Sequence, residues 1–131
     1  MSRNHLNLLV YQKAYSFVLE CYAVCDSLLD AAFSSQLRRA LLSVPLNIAE
    51  GCGSRSQKVF RNHLSYAYAS SQEVDVLLSL SCDLAFLDDS VVVSLREDLD
   101  VVKKMLFGLL VRVEKEISGG RRYSSYRSSS S

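Results

Sequence analysis

Metal ligands are scarce in this sequence. Its 131 residues include two histidines and four cysteines. Cys21, Cys25, Cys52 and Cys82 form no C-x-x-C pair, so a four-ligand zinc site is not expected. The Glu-x-x-His pairs that line di-iron bundles are missing too. There is no G-x-x-x-x-G-K-S/T phosphate loop, no G-x-G-x-x-G and no H-E-x-x-H. With no side chains arranged as nucleophile and base, these absences argue against an enzyme and against a cofactor. No apolar run of about 18 residues is present to cross a membrane, and the stretch from Leu8 to Val10 is too short for a signal peptide. A cytoplasmic protein whose reduced thiols pack as small apolar groups is the expectation.

What the chain does hold is apolar surface, 49% of its residues, enough for one domain with a real core. Its net charge of +1 hides an uneven distribution. Residues 34–63 carry Arg38, Arg39, Arg55, Lys58 and Arg61 against the single acid Glu50. Residues 64–90 carry Glu73, Asp75, Asp83, Asp88 and Asp89 and no lysine or arginine. A polarised surface follows, suited to a local phosphate-facing patch or to pairing between subunits.

The apolar residues recur at helical spacing. Val10, Ala14, Phe17, Cys21, Val24 and Leu28 make one stripe. A second runs through Phe60, Leu64, Ala67, Ser71, Val74 and Leu78, and a third through Val92, Leu95, Leu99, Val102, Leu106, Leu109 and Val113. Ser54 with Gln57 forms a possible capping box, Ser90 caps the last helix behind Asp88 and Asp89, and Gly51 and Gly53 end the helix before residue 54. The glycines of "GCGSRS" suit an anion or a plain interhelical turn. Four helices with short connections predict an all-α, antiparallel up-down four-helix bundle over residues 1–117.

Residues 34–51 make an unusual second helix. Leu37, Leu41, Val44 and Ile48 form one stripe; Leu42, Leu46 and Ala49 occupy a roughly opposite sector. A helix apolar on two sides needs two partners, so Leu42, Leu46 and Ala49 are candidates for an oligomer interface, unless they are merely exposed singly. The only proline, Pro45, lies in this helix. It has no N–H for the Leu41 carbonyl, which costs about 3 kcal/mol in an uncompensated interior. Either the helix kinks at Pro45, with Ser43 and Asn47 bonding the freed backbone or each other, or Pro45 opens a new helix. Arg39, Ser43, Asn47, Glu50, Ser70 and Glu73 are read as one structural polar network. Within it, an arginine-to-glutamate contact is completed by Asn47 and Ser70.

Arg38, Arg55, Lys58 and Arg61 cluster near the junction of the second and third helices as a phosphate-facing patch or a solvated rim. Residues 118–131, "SGGRRYSSYRSSSS", read as a flexible, disordered tail. Its Arg121, Arg122 and Arg127, interleaved with Tyr123 and Tyr126, suit RNA or simply a solubilising end.

"SQLRRALLSVPLNIAEG" followed by "SRSQKVFRNHLSYAYASSQEVDVLL" resembles the four-helix bundle family of 23S rRNA intervening-sequence proteins. Relatives of that family include the accessory variability determinant proteins of diversity-generating retroelements. The family pattern Q-L-R-R-A, S-I/V-P-x-N-I-A-E-G, R-x-S, F and A-x-G-S-x-x-E falls on residues 36–40, 43–51, 55–56, 60 and 67–73. "YQKAY" resembles the family's W-Q-K-A with Tyr11 for tryptophan. Ala69 stands where glycine is usual, and residues 30–33 lack the common proline and acidic residues. The resemblance implies a homopentamer with a central channel. In the retroelement relatives it implies binding of structured RNA or DNA and of a reverse transcriptase through basic surface. The alternative is a protein-interaction scaffold with no nucleic-acid ligand.

Overall fold

The computed structural model describes residues 4, 5 and 8–130, with side chains through residue 119. Its helices are α1 (Leu9–Cys25), α2 (Ala31–Cys52), α3 (Gln57–Asp83) and α4 (Asp89–Ser130). Each packs on the next, and α4 closes the ring against α1. Cross-helix contacts such as Asp26–Arg38, Asn47–His63 and Arg61–Glu114 run antiparallel. The molecule is therefore an all-α, antiparallel four-helix bundle, with no strand among the described residues.

The stripes become the core. All six residues of the α3 stripe are buried, and so is the α4 stripe except for half-buried Leu109 at its edge. In α1, Cys25 enters the core and Val24 is left half-buried. Ser71 and Ser81 sit among these apolar groups because each hydroxyl donates back to a carbonyl one turn earlier, Tyr68 and Leu78, at 2.6 Å. A buried hydroxyl so satisfied avoids most of its desolvation penalty.

Several helix ends differ from expectation. The α3 cap is Ser56, whose hydroxyl accepts from the Val59 N–H at 3.3 Å, while Ser54 instead receives the Ser56 N–H. With two serines in reach, the one that satisfies the first turn wins. Gln57 then falls in the first turn and reaches Glu116 of α4. Helix α4 starts at Asp89, one residue before Ser90, with the Asp88 carbonyl accepting from Val92. Gly51 lies inside α2 rather than ending it, and neither it nor Gly53 has a positive φ. A Cβ at Gly51 would stand 2.8 Å from His63 Cβ and 3.1 Å from Phe60 Cδ1, so glycine here serves the close approach of α2 to α3.

Helix α2 runs unbroken from Asp30, whose carboxylate caps Phe33 N–H at 2.9 Å, to Cys52. Pro45 therefore lies within one helix and does not open a second. The antiparallel arrangement gathers Asp26, Asp30, Asp83, Asp88 and Asp89 at one end of the bundle. Arg55, Lys58 and Arg61 lie at the other end, beside Arg112 and Lys115 near the end of the described α4 side chains. The charge blocks of the sequence are thus only partly separated in space, since Arg38 of the basic block sits at the acidic end beside Asp26.

Candidate functional site

A ladder of polar side chains follows the outer seam between α2 and α3. At the top, Arg39 Nη2 meets Glu73 Oε2 at 2.5 Å, and Gln36 donates to the same oxygen at 2.9 Å. In the middle, the Ser43 and Ser70 hydroxyls stand 2.7 Å apart. Below, Asn47 Nδ2 donates to the Ser43 carbonyl at 2.8 Å and to its hydroxyl at 3.0 Å. With the amide nitrogen so committed, the Asn47 oxygen faces His63 Nδ1 at 3.1 Å, which assigns the ring hydrogen to Nδ1. Glu50 closes the ladder, 3.7 Å from the same nitrogen.

The six residues read as one polar network thus share one seam, but on separate rungs. Asn47 and Ser70 do not touch the Arg39–Glu73 pair, whose third member is Gln36. The carbonyl that Asn47 engages is that of Ser43, not the Leu41 carbonyl that Pro45 deprives. His63 is a rung that sequence reasoning missed. Its signal was spacing: positions 63, 70 and 73 lie on one stripe of α3.

Apolar groups flank the ladder on both sides. Leu42 is 42% and Leu46 56% exposed, with Ala49 half-buried beside them. Across the seam, α3 exposes Val59, Tyr66 and Leu80. The α2 half of this face contains the three residues picked out as an oligomer interface; the α3 half was not read from the sequence.

The candidate basic residues do not form a single group. Arg38 lies toward the acidic pole in a clasp between α1 and α2: it donates to Asp26 at 2.8 Å and to Ser34 at 3.1 Å, and stacks 4.7 Å above the Tyr22 ring. Arg61 pairs with Glu114 at 3.5 Å. Arg55 and Lys58 are exposed and have no ion pair among the described residues. The side chains of Arg121, Arg122 and Arg127 lie outside the described residues, while the backbone through residue 130 is described as part of α4 and not as a separate tail.

Cys21, Cys25 and Cys52 are buried and Cys82 half-buried, none of them in a disulfide. Cys21 donates to Cys25, which with burial pushes the Cys21 thiol up; the accepted hydrogen bond, and then Arg38, pull Cys25 down. Cys82 faces the Asp89 carboxylate at 2.8 Å, which raises its thiol. Among the described residues no group of three or more His, Cys, Asp or Glu is placed to hold a metal ion, and no helix is long and apolar enough to cross a membrane.

The fold is similar to a crystal structure from Bacteroides thetaiotaomicron, described as a protein with unknown function from the S23 ribosomal protein family. The two share 22% identity and a TM-score of 0.73, over 78% of this chain and 98% of that one. No curated protein matches the chain. The family model described as 23S rRNA-intervening sequence protein matches residues 6–108, which include all of α1, α2 and α3. This chain belongs to the 23S rRNA-intervening sequence protein family.

Proposed function

We propose that the protein is a non-enzymatic accessory that self-associates through the outer face of α2 and α3 and binds nucleic acid at its basic pole. The observation that carries the nucleic-acid part is the segregation of charge. Arg55 and Lys58 stand exposed and unpaired at one end, where Glu114 is paired with Arg61, while Asp26, Asp30, Asp83, Asp88 and Asp89 are gathered at the other. Such polarity orients a polyanion before contact. Self-association is supported by Leu42, Leu46, Val59, Tyr66 and Leu80, exposed along the two sides of the α2–α3 seam; packing them against a second copy would remove that surface from water. Five copies, a reverse transcriptase partner and structured RNA or DNA as ligand are what the resemblance to the retroelement accessory proteins adds.

Titration of a labelled RNA hairpin at several salt concentrations tests the nucleic-acid part. Binding should weaken steeply with salt, and changing Arg55→Gln and Lys58→Gln together should reduce the magnitude of the log–log salt slope by about 2. Unchanged affinity and slope would exclude the basic pole. A second reading, a scaffold without nucleic acid, draws on the engagement of Arg38 and Arg61 by Asp26 and Glu114. Salt-independent titrations together with a stable oligomer by light scattering would select it.

A further inference from the structure

We infer that the groove between α3 and α4 is a site for single-stranded nucleic acid, taking unpaired bases beside Phe107 and phosphates at Lys115, Lys58 and Arg55. The inference rests on the nucleic-acid reading above and narrows it to a place and a ligand class. The groove is open, about 770 Å³, with Phe107, Leu110 and Val111 as its apolar part and Ser65, Glu114, Lys115 and Ser118 as its polar part. Phe107 is 58% exposed, and its ring is braced by Tyr68 of α3, centroids 6.1 Å apart. An exposed aromatic held from one side by another ring offers its free surface to a planar partner.

The charges around the groove decide what kind of partner that is. Of its two nearby acids, Glu114 is paired with Arg61 at 3.5 Å, and Glu116 accepts a hydrogen bond from the Gln57 amide and keeps its charge. Lys115, and Lys58 and Arg55 toward the basic pole, are exposed and have no hydrogen bond or ion pair among the described residues. The surface thus offers an aromatic platform followed by exposed cations that no acid contacts among the described residues. From Phe107 to Lys115 is about 12 Å along α4. An apolar peptide would leave the cations unmet, and a base-paired duplex would hide the base faces that Phe107 could stack on. An unpaired strand presents both a planar base and a phosphate, the combination that single-strand grooves use.

The full chain should be titrated with a labelled oligouridylate and with an RNA duplex of the same length. Phe107→Ala is expected to weaken oligouridylate binding roughly 10-fold with its salt slope intact, and to leave duplex binding unchanged. Phe107→Tyr, which keeps the ring, should restore it. Lys58→Gln with Lys115→Gln should reduce the magnitude of the oligouridylate slope by about 1.4. Because Phe107 is exposed, a thermal melt checks that the alanine variant stays folded. Wild-type affinity in Phe107→Ala, or an equal loss on duplex, overturns the groove. If that occurs while the Arg55 and Lys58 variant still loses the hairpin, only the groove falls; if the protein binds none of these RNAs, the broader reading falls with it.

Discussion

Asn47 holds two rungs of the α2–α3 seam together, giving hydrogens to Ser43 and taking one from His63. Asn47→Ala leaves the half-buried Ser43 and His63 groups short of a partner, so it should cost about 1–3 kcal/mol. This would be read as a lower urea midpoint at constant m. Asn47→Asp keeps the shape but turns a carboxylate oxygen toward the Ser43 carbonyl, and should cost more; equal losses would mean that Asn47 acts by size alone. On α1, burial raises the Glu20 carboxyl above its ordinary value of 4.5, and Asp98 of α4 raises it further by hydrogen bond and repulsion. The folded chain therefore binds this proton more readily than the unfolded one. Stability from this site is fully present below the ordinary carboxylate value and is lost as pH rises through the raised one. Glu20→Gln should raise Tm at pH 7, and the advantage should shrink on acidification; a gain independent of pH would rule out titration as its source. Little of this was legible in the chain. His63 looked like a lone histidine without metal partners, and nothing in the sequence aligns Glu20 with Asp98 until α1 and α4 are packed.

At the scale of the element, the helices themselves were legible because the 3.6-residue repeat of apolar side chains survives in every stripe. Their ends were less so: Ser54 and Ser56 offered similar caps, and the α3 C-terminus carries no glycine to announce it. There the Phe86 N–H bonds the Ser81 carbonyl at 2.8 Å and the Ala85 N–H bonds Cys82 at 3.0 Å. This is the Schellman pairing, with Ala85 at φ 59. Phe86 then packs edge-on against Phe33 of α2, centroids 5.2 Å apart. A Cβ in that backbone conformation costs about 1–2 kcal/mol, partly offset by the greater freedom glycine has when unfolded. Ala85→Gly should therefore stabilise by about 0.5–1 kcal/mol, seen as a higher Tm; a lower Tm would show that the turn does not limit stability. Farther along α3, burial would raise the Asp75 carboxyl, but the hydrogen bonds from Arg96 at 2.7 Å and Lys103 at 3.3 Å outweigh it and hold it below its ordinary range. That tie between α3 and α4 contributes above the ordinary carboxylate value and is lost as pH falls through the lowered one. Asp75→Asn should cost about 1 kcal/mol at pH 7, and the gap to wild type should close in acid. A constant gap at every pH would assign the loss to packing.

For the whole molecule, the two proposed surfaces occupy different sides of α3. Residues 59, 66 and 80 fall on the stripe that faces α2, whereas Ser65 and Tyr68 belong to the side facing α4. The first face was half legible, because the second apolar sector of α2 stands out against a bundle that buries only one. The groove was not, because it exists only once Tyr68 and Phe107, remote in sequence, are brought side by side. Separate surfaces make separable behaviour. Leu42→Lys with Leu46→Lys places charge on side chains that are already 42% and 56% exposed, so the bundle itself should lose little stability while an apolar interface between copies is disrupted. Light scattering should then show a monomer. A short oligonucleotide that fills one groove should bind this monomer as tightly as it binds the wild type. A long RNA that bridges several copies should bind it more weakly, because the second and later contacts lose their high effective concentration. A wild-type assembly held by apolar contact should keep its mass across a salt range that releases RNA, since counterion release acts on phosphate contacts and not on buried leucine. If the lysine variant remains an oligomer, the α2 face is not what joins the copies. If it is monomeric and short-oligonucleotide affinity falls as well, the groove is completed by a neighbouring subunit and the two surfaces form one site.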